Sequence, residues 1–105
     1  MIIYEVNLTI NNEIFDEYYH WLVEHIGLIL KFKGFREAEL AKEQMTVNDT
    51  TETMKLTVRY SLNSNEDLND YLTNHAPAMK EDGIKKFGEK FSASRRVFTE
   101  SRVIG

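Results

Sequence analysis

"TMKLTVRYSL", residues 53–62, alternates without a break. Met54, Leu56, Val58, Tyr60 and Leu62 fall on one side, and Lys55, Thr57, Arg59 and Ser61 on the other. A period of two sends successive side chains to opposite faces, so this is a strand with one face in a core and one outside it. Such one-sided strands belong to antiparallel sheets. "IIYEVNLTI", residues 2–10, repeats the pattern, with Ile2, Tyr4, Val6, Leu8 and Ile10 set against Ile3, Glu5, Asn7 and Thr9. These two stretches read as the centre of the sheet.

The remaining elements are read outward from that pair. Asn11 and Asn12 supply a turn and an N-cap, after which Phe15, Tyr18, Leu22, His25 and Ile29 recur at helical spacing. Gly27 is a loosening point in this first helix. Gly34 suits the exit turn, "FREAELAK" (35–42) reads as a strand with Ala38 and Leu40 inward, and "TVNDTTET" (46–53) as a polar hairpin loop. Ser64 with Asp67 three residues on resembles a capping box and opens a second helix whose stripe is Leu68, Leu72, His75 and Met79. "FSASRRVF" (91–98) forms the last strand, with "RVI" (102–104) as a candidate extension. The order β-α-β-β-α-β is the ferredoxin-like arrangement, an α+β fold in which right-handed crossovers give a four-stranded antiparallel sheet with two helices on one face. With 105 residues the chain suits one such domain, spanning 1–105.

Composition excludes several function classes. The chain has no cysteine, so disulfides, thiolate nucleophiles and cysteine-held metals are ruled out, and a reducing, cytoplasmic setting is expected. A strand pattern begins directly after Met1, no signal peptide is expected, and no apolar run approaches the roughly 20 residues of a membrane span. The net charge of −4 argues against a nucleic-acid binder. That charge is uneven: residues 1–74 hold 6 basic and 13 acidic side chains, and residues 75–105 hold 7 and 4. A local anion site near Lys85, Lys86, Arg95 and Arg96 is therefore an expectation to test.

"HAPAMKEDGIKKFGEKFSASRR", residues 75–96, holds most of the chemistry. Pro77 removes a helical N–H and its ring crowds the carbonyl four residues back, so a helix should kink or restart here. Gly83 is available as a left-handed C-cap, Gly88 permits a bend, and Ile84, Phe87 and Phe91 read as anchors onto the core. His75 falls on the apolar stripe of the second helix, as His25 does on the first, and a buried imidazole must find a partner or lower its pKa. Arg95 and Arg96 are neighbours on a strand, so one faces the helices and the other the open face. The inward one needs a helix carboxylate, carbonyls or an anionic ligand. The outward one is expected to join Glu5 and Arg59 in a cross-strand ion-pair set.

Other motifs lead nowhere. "EYYH" is an E-x-x-H from Glu17 to His20, but a di-iron bundle needs a second copy and further glutamates on facing helices, and no second copy exists. His20 and His25 lie about 140° apart around a helix, too far to share zinc comfortably. The expected open face carries Ile3, Glu5, Asn7, Thr9, Lys55, Thr57, Arg59 and Ser61, without the aromatics on which RNA-recognition domains stack bases. No phosphate-binding loop, dinucleotide fingerprint or nucleophile elbow occurs. No cofactor is called for.

Taken together, "IIYEV" at the start, Trp21, His25 and Ile26, "YL" with "HAP" at 71–77, "DG" at 82–83, "FG" at 87–88 and "FSASRRV" at 91–97 resemble a family of short bacterial proteins of unknown function. The resemblance implies a ferredoxin-like fold related to the dimeric α/β-barrel proteins, and homodimers. It brings no catalytic residues. The wider dimeric-barrel group includes cofactor-independent monooxygenases and haem-degrading enzymes, whose pattern looks like an Asn on the first strand with a Trp and a His, here matched in type by Asn7, Trp21 and His75. The leading expectation is a non-enzymatic homodimeric module that binds a small anionic or aromatic ligand between sheet and helices. Trp21, His25, Tyr71, His75 and the inward one of Arg95 and Arg96 would line the pocket. The alternatives are an oxygenase or haem-binding enzyme of the dimeric-barrel type, with His75 as axial ligand or proton-transfer group, and a protein-binding adaptor.

Overall fold

The two alternating stretches pair with each other at the centre of the sheet. A computed structural model, which describes residues 1–45 and 52–105, gives β1 (Ile2–Asn11), α1 (Phe15–Ile29), β2 (Phe35–Lys42), β3 (Thr53–Leu62), α2 (Asn65–Asn74), α3 (Ala76–Phe87) and β4 (Phe91–Phe98), with one 3-10 turn at Asn12–Ile14. The strands form a single antiparallel sheet in the order β2-β3-β1-β4. This is the ferredoxin-like arrangement. The hairpin loop expected over 46–53 lies, apart from its last two residues, outside the described residues.

Register explains why one face of the sheet is apolar throughout. Tyr4 stands opposite Tyr60, Val6 opposite Val58 and Leu8 opposite Leu56, so the inward sets of the two central strands coincide and are covered by the helices. β2 joins them only through a bulge. Phe35 and Ala38 are three apart, which strict alternation would send to opposite faces, yet both pack inward because the register shifts between Phe35 and Glu37 and Arg36 takes up the extra residue.

α1 buries Tyr18, Leu22, Ile26 and Ile29. His25, expected on that stripe, sits at its flank, because the centre of the buried face passes through Leu22 and Ile26. Gly34 makes the exit turn at φ 88°, a region other residues enter only with strain. Asp67 packs against it: a Cβ on Gly34 would come within 2.3 Å of Asp67 Oδ2. Asp67 in turn belongs to the cap of α2, where its backbone N–H donates to Ser64 Oγ at 3.2 Å.

The second helical stretch breaks in two. His75 leaves helical geometry (φ −125°, ψ −35°), and α3 starts at Ala76 with Pro77 in its first turn, where a missing N–H costs nothing. Among the described residues there are therefore three α-helices rather than the two expected. Gly83, expected to end the helix, lies inside α3, and Gly88 (φ 60°) ends it, its N–H bonding to the Ile84 carbonyl at 2.8 Å. β4 stops at Phe98, and residues 102–104 form no strand. No helix among the described residues is long and apolar enough to cross a membrane.

Candidate functional site

Aromatic rings gather in two groups between sheet and helices. Tyr4 stacks on Tyr60 at 5.9 Å, and Phe35, Phe32 and Tyr71 pack around them. Tyr18, Trp21, Phe87 and Phe91 form the other group. A cavity of about 270 Å³ adjoins both, reached by Tyr4, Tyr60 and Tyr71 from the first and by Tyr18, Trp21 and Phe91 from the second. Its size lies just under the roughly 300–1,000 Å³ of pockets for drug-sized ligands.

Four of the six side chains singled out in the sequence meet there: Trp21 and His25 from α1, Tyr71 from α2 and Arg95 from β4. Trp21 and His25, four residues apart on one face of α1, stack with ring centres 4.4 Å apart. Burial lowers the His25 pKa, with Asp82 pulling it back in part, so the imidazole is predominantly neutral at pH 7. Gly83 allows α3 to approach this pair, since a Cβ there would lie 3.0 Å from Trp21 Cη2.

Arg95 is the inward arginine. In register it stands opposite Val6, on the helix side of the sheet, at an edge strand where its side chain is exposed. The helix carboxylate expected beside it is not present; among the described residues no carboxylate pairs with it. It lies instead within hydrogen-bonding reach of the Tyr4 hydroxyl, and its charge acts on Tyr18, Tyr60 and Tyr71 as well. Burial raises the pKa of all four tyrosines more than Arg95 lowers it, so the phenols remain protonated donors at neutral pH.

His75 and Arg96 stand elsewhere. The restart at Pro77 resets the helical phase, so Ala76 is buried where the Leu68 stripe was expected to continue through His75. The His75 ring stacks on Phe32 at 4.3 Å, with Nε2 3.9 Å from Asp70 Oδ2, and does not line the cavity. Arg96 is on the open face. Its Nε donates to Glu5 Oε1 at 2.6 Å, Arg59 Nε donates to Glu5 Oε2 at 2.8 Å, and Asn7 Nδ2 adds a bond to Oε1 at 3.0 Å. Glu5 is only 1% exposed, covered by the two arginine side chains rather than by packed core. Burial works against its charge, but the bonds from Asn7, Arg96 and Arg59 outweigh it and bring its pKa down to about 2.

Asn7 belongs to this open-face network, accepting from Thr57 Oγ1 at 2.8 Å, and so stands across the sheet from Trp21. Lys85 and Lys86 do not reach the cavity either; the cation that joins Arg95 in its lining is Lys80. Among the described residues no three His, Asp or Glu side chains cluster as metal ligands. Tyr4, Tyr18 and Tyr60 were missed as site residues. The signal was available: tyrosines at inward positions bring hydroxyls into an apolar layer, where they need partners.

Comparison with known proteins agrees with this architecture. A protein from Deinococcus radiodurans, provisionally described as an antibiotic biosynthesis monooxygenase, superposes with a TM-score of 0.73 at 11% identity, over 100% of this chain and 97% of that one. SnoaB from Streptomyces nogalater, a cofactor-independent oxygenase solved as an N63A mutant, gives 0.68 at 10% identity over 98% and 96%. A dimeric ferredoxin-like protein from an uncultured marine organism gives 0.56 at 15% over 100% and 95%. At these identities the likeness is one of fold. No curated protein matches the sequence. The model of the domain-of-unknown-function family DUF4286 matches residues 1–101, nearly the whole chain, and the protein belongs to that family.

Proposed function

We propose that the protein is a homodimeric module that holds one small anionic or aromatic ligand per chain between its sheet and its helices. The observation that carries this reading is the convergence of Trp21, His25, Tyr71 and Arg95, from two helices and the last strand, on one cavity. Arg95 is exposed to solvent and pairs with no carboxylate among the described residues, so its guanidinium is available to a ligand in that cavity.

The dimer is supported by the uncovered face of the sheet. Its β2 margin exposes Glu37 and Glu39, its β4 margin exposes Arg96 and Phe98, and Glu5 is already neutralised between them. A two-fold axis along the strands sets the β2 margin of one copy against the β4 margin of the other, acidic against basic. One of the similar folds is described as dimeric.

A native mass spectrum of freshly purified protein tests both parts. A dimer with a retained small molecule is expected; a clean monomer would refute the pairing, and a dimer that takes up no small aromatic or anionic compound would refute the pocket.

One observation favours a second reading, a cofactor-independent oxygenase of the kind SnoaB is described to be: the neutral His25 imidazole on the cavity wall could accept a substrate proton. Dioxygen uptake with an electron-rich phenol, lost in His25→Ala, would replace the binding-module reading with this one. Haem ligation by His75 finds no support, because His75 is outside the cavity.

A further inference from the structure

We infer that the ligand of this cavity is a small aromatic carboxylate, its carboxylate held by Arg95 and its ring lying among Trp21 and the tyrosines. This rests on the proposal that the cavity is a ligand site, and narrows it to one chemical class.

The class follows from Arg95, the arginine in the cavity lining. The helix-side positions of β1 and β3 are Ile2, Tyr4, Val6, Leu8 and Ile10 and Met54, Leu56, Val58, Tyr60 and Leu62, all apolar or tyrosine. Arg95 brings a charge into the equivalent row of β4, beside Ala93 and Val97, as Lys42 does at the end of β2, where its ammonium lies over Phe15 rather than at the cavity. A guanidinium keeps its charge at any accessible pH and presents five N–H donors in a planar fork. The next residue shows how the same strand satisfies an arginine when no ligand is involved: Arg96 closes on Glu5 at 2.6 Å. Arg95 has the Tyr4 hydroxyl and no carboxylate among the described residues. The side chain is exposed, so its other donors face water and are open to an anion that enters the cavity.

The shape and number of charges select the anion. A planar fork matches a carboxylate through two parallel N–H···O bonds. One arginine, with the exposed Lys80 beside it in the lining, balances a single negative charge better than a phosphate dianion. Protonated tyrosine hydroxyls on the same wall can donate to the carboxylate oxygens without bringing further charge.

The rest of the lining selects the ring. Val6, Leu8 and Val58 give a flat apolar floor, and Tyr18, Trp21 and Phe91 give aromatic walls. At about 270 Å³ the cavity is at the small end of ligand pockets. One ring with a short side chain fits that space.

Trp21 is the only tryptophan in the chain and lines the cavity, so its fluorescence reports occupancy. The probes are para-hydroxybenzoate and para-hydroxyphenylacetate, each against its neutral amide, titrated into the wild type, Arg95→Gln and Arg96→Gln. Folding of each variant is checked by circular dichroism. The acids are expected to quench Trp21 and to bind about tenfold or more tightly than the amides. Arg95→Gln should bring the acids to the level of the amides and leave the amides unchanged, and Arg96→Gln, the same charge change on the opposite face, should preserve the difference. Acids and amides that bind equally, or acid binding that survives Arg95→Gln, would overturn the carboxylate assignment while leaving a site for neutral aromatics. Failure of all four compounds, together with a mass spectrum free of adducts, would overturn the pocket itself and this inference with it.

Discussion

Replacing Glu5 with Gln should cost the protein about 1–2 kcal/mol at pH 7, and that cost should vanish in acid. The carboxylate accepts from Arg96 Nε at 2.6 Å, Arg59 Nε at 2.8 Å and Asn7 Nδ2 at 3.0 Å, and these bonds bring its pKa from 4.5 to about 2. At about 1.4 kcal/mol per pH unit, such a depression favours the ionised folded state by on the order of 3 kcal/mol at most. Arg59 and Arg96 are 52% and 63% exposed, so water and salt screen the set, which reduces the figure to about 1–2 kcal/mol. The folded pKa is the depressed one, so the stabilisation is fully present above the unfolded value near 4.5 and is lost as the pH falls toward 2. Urea denaturation of wild type and Glu5→Gln at fixed protein concentration, from pH 7 down to 2.5, measures the difference. It should be largest at pH 7, shrink below pH 4.5 and weaken with added salt. Equal stability at pH 7, or a difference that does not change with pH, would show that the two arginines do not depend on the carboxylate.

Two glycines provide further tests. Gly34→Ala forces a side chain into φ 88° and against Asp67, so the positive φ costs ~1–2 kcal/mol and disturbance of the Ser64–Asp67 cap adds ~1 kcal/mol. The melting temperature should fall by roughly 10 °C or more, and a loss under about 1 kcal/mol would contradict the Asp67 contact. Gly83→Ala would gain ~1 kcal/mol of helix propensity in an open helix, but here its Cβ meets Trp21 Cη2 at 3.0 Å and Phe91 Cζ at 3.4 Å. A shifted Trp21 emission with little net stabilisation is expected; the full gain with unchanged emission would mean that α3 does not press on Trp21.

Some parts of this architecture are written locally. Alternation in β1 and β3 states which side chains face the helices, because the pleat allows only two faces, and Ser64 announces the start of α2 because a free N–H needs an acceptor. The pairing of Glu5 with Arg59 and an outward arginine follows from the same alternation once the topology is assumed. The Pro77 break was legible as well, since a missing N–H belongs in a helix's first turn. What comes after the break was not. Helical phase is lost at His75, so periodicity carried across it places His75 on the core and Gly83 at a helix end, where the structure has Ala76 and Gly88. β2 hides its inward Phe35 behind a bulge that only pairing with β3 defines.

The choice between Arg95 and Arg96 belongs wholly to the tertiary structure. Two adjacent arginines are equivalent in a sequence read alone; β4 meets β1 with Arg96 opposite Glu5 and Arg95 opposite Val6, and a slip of one residue would exchange them. The cavity is of the same kind, being the space that α1, α2, α3 and the sheet leave between them. The sequence by itself determined the faces of the central strands, the N-cap and the restart, because each depends on groups a few residues apart. The structure alone decided register and the void, because both depend on where elements distant in the chain come to rest against one another.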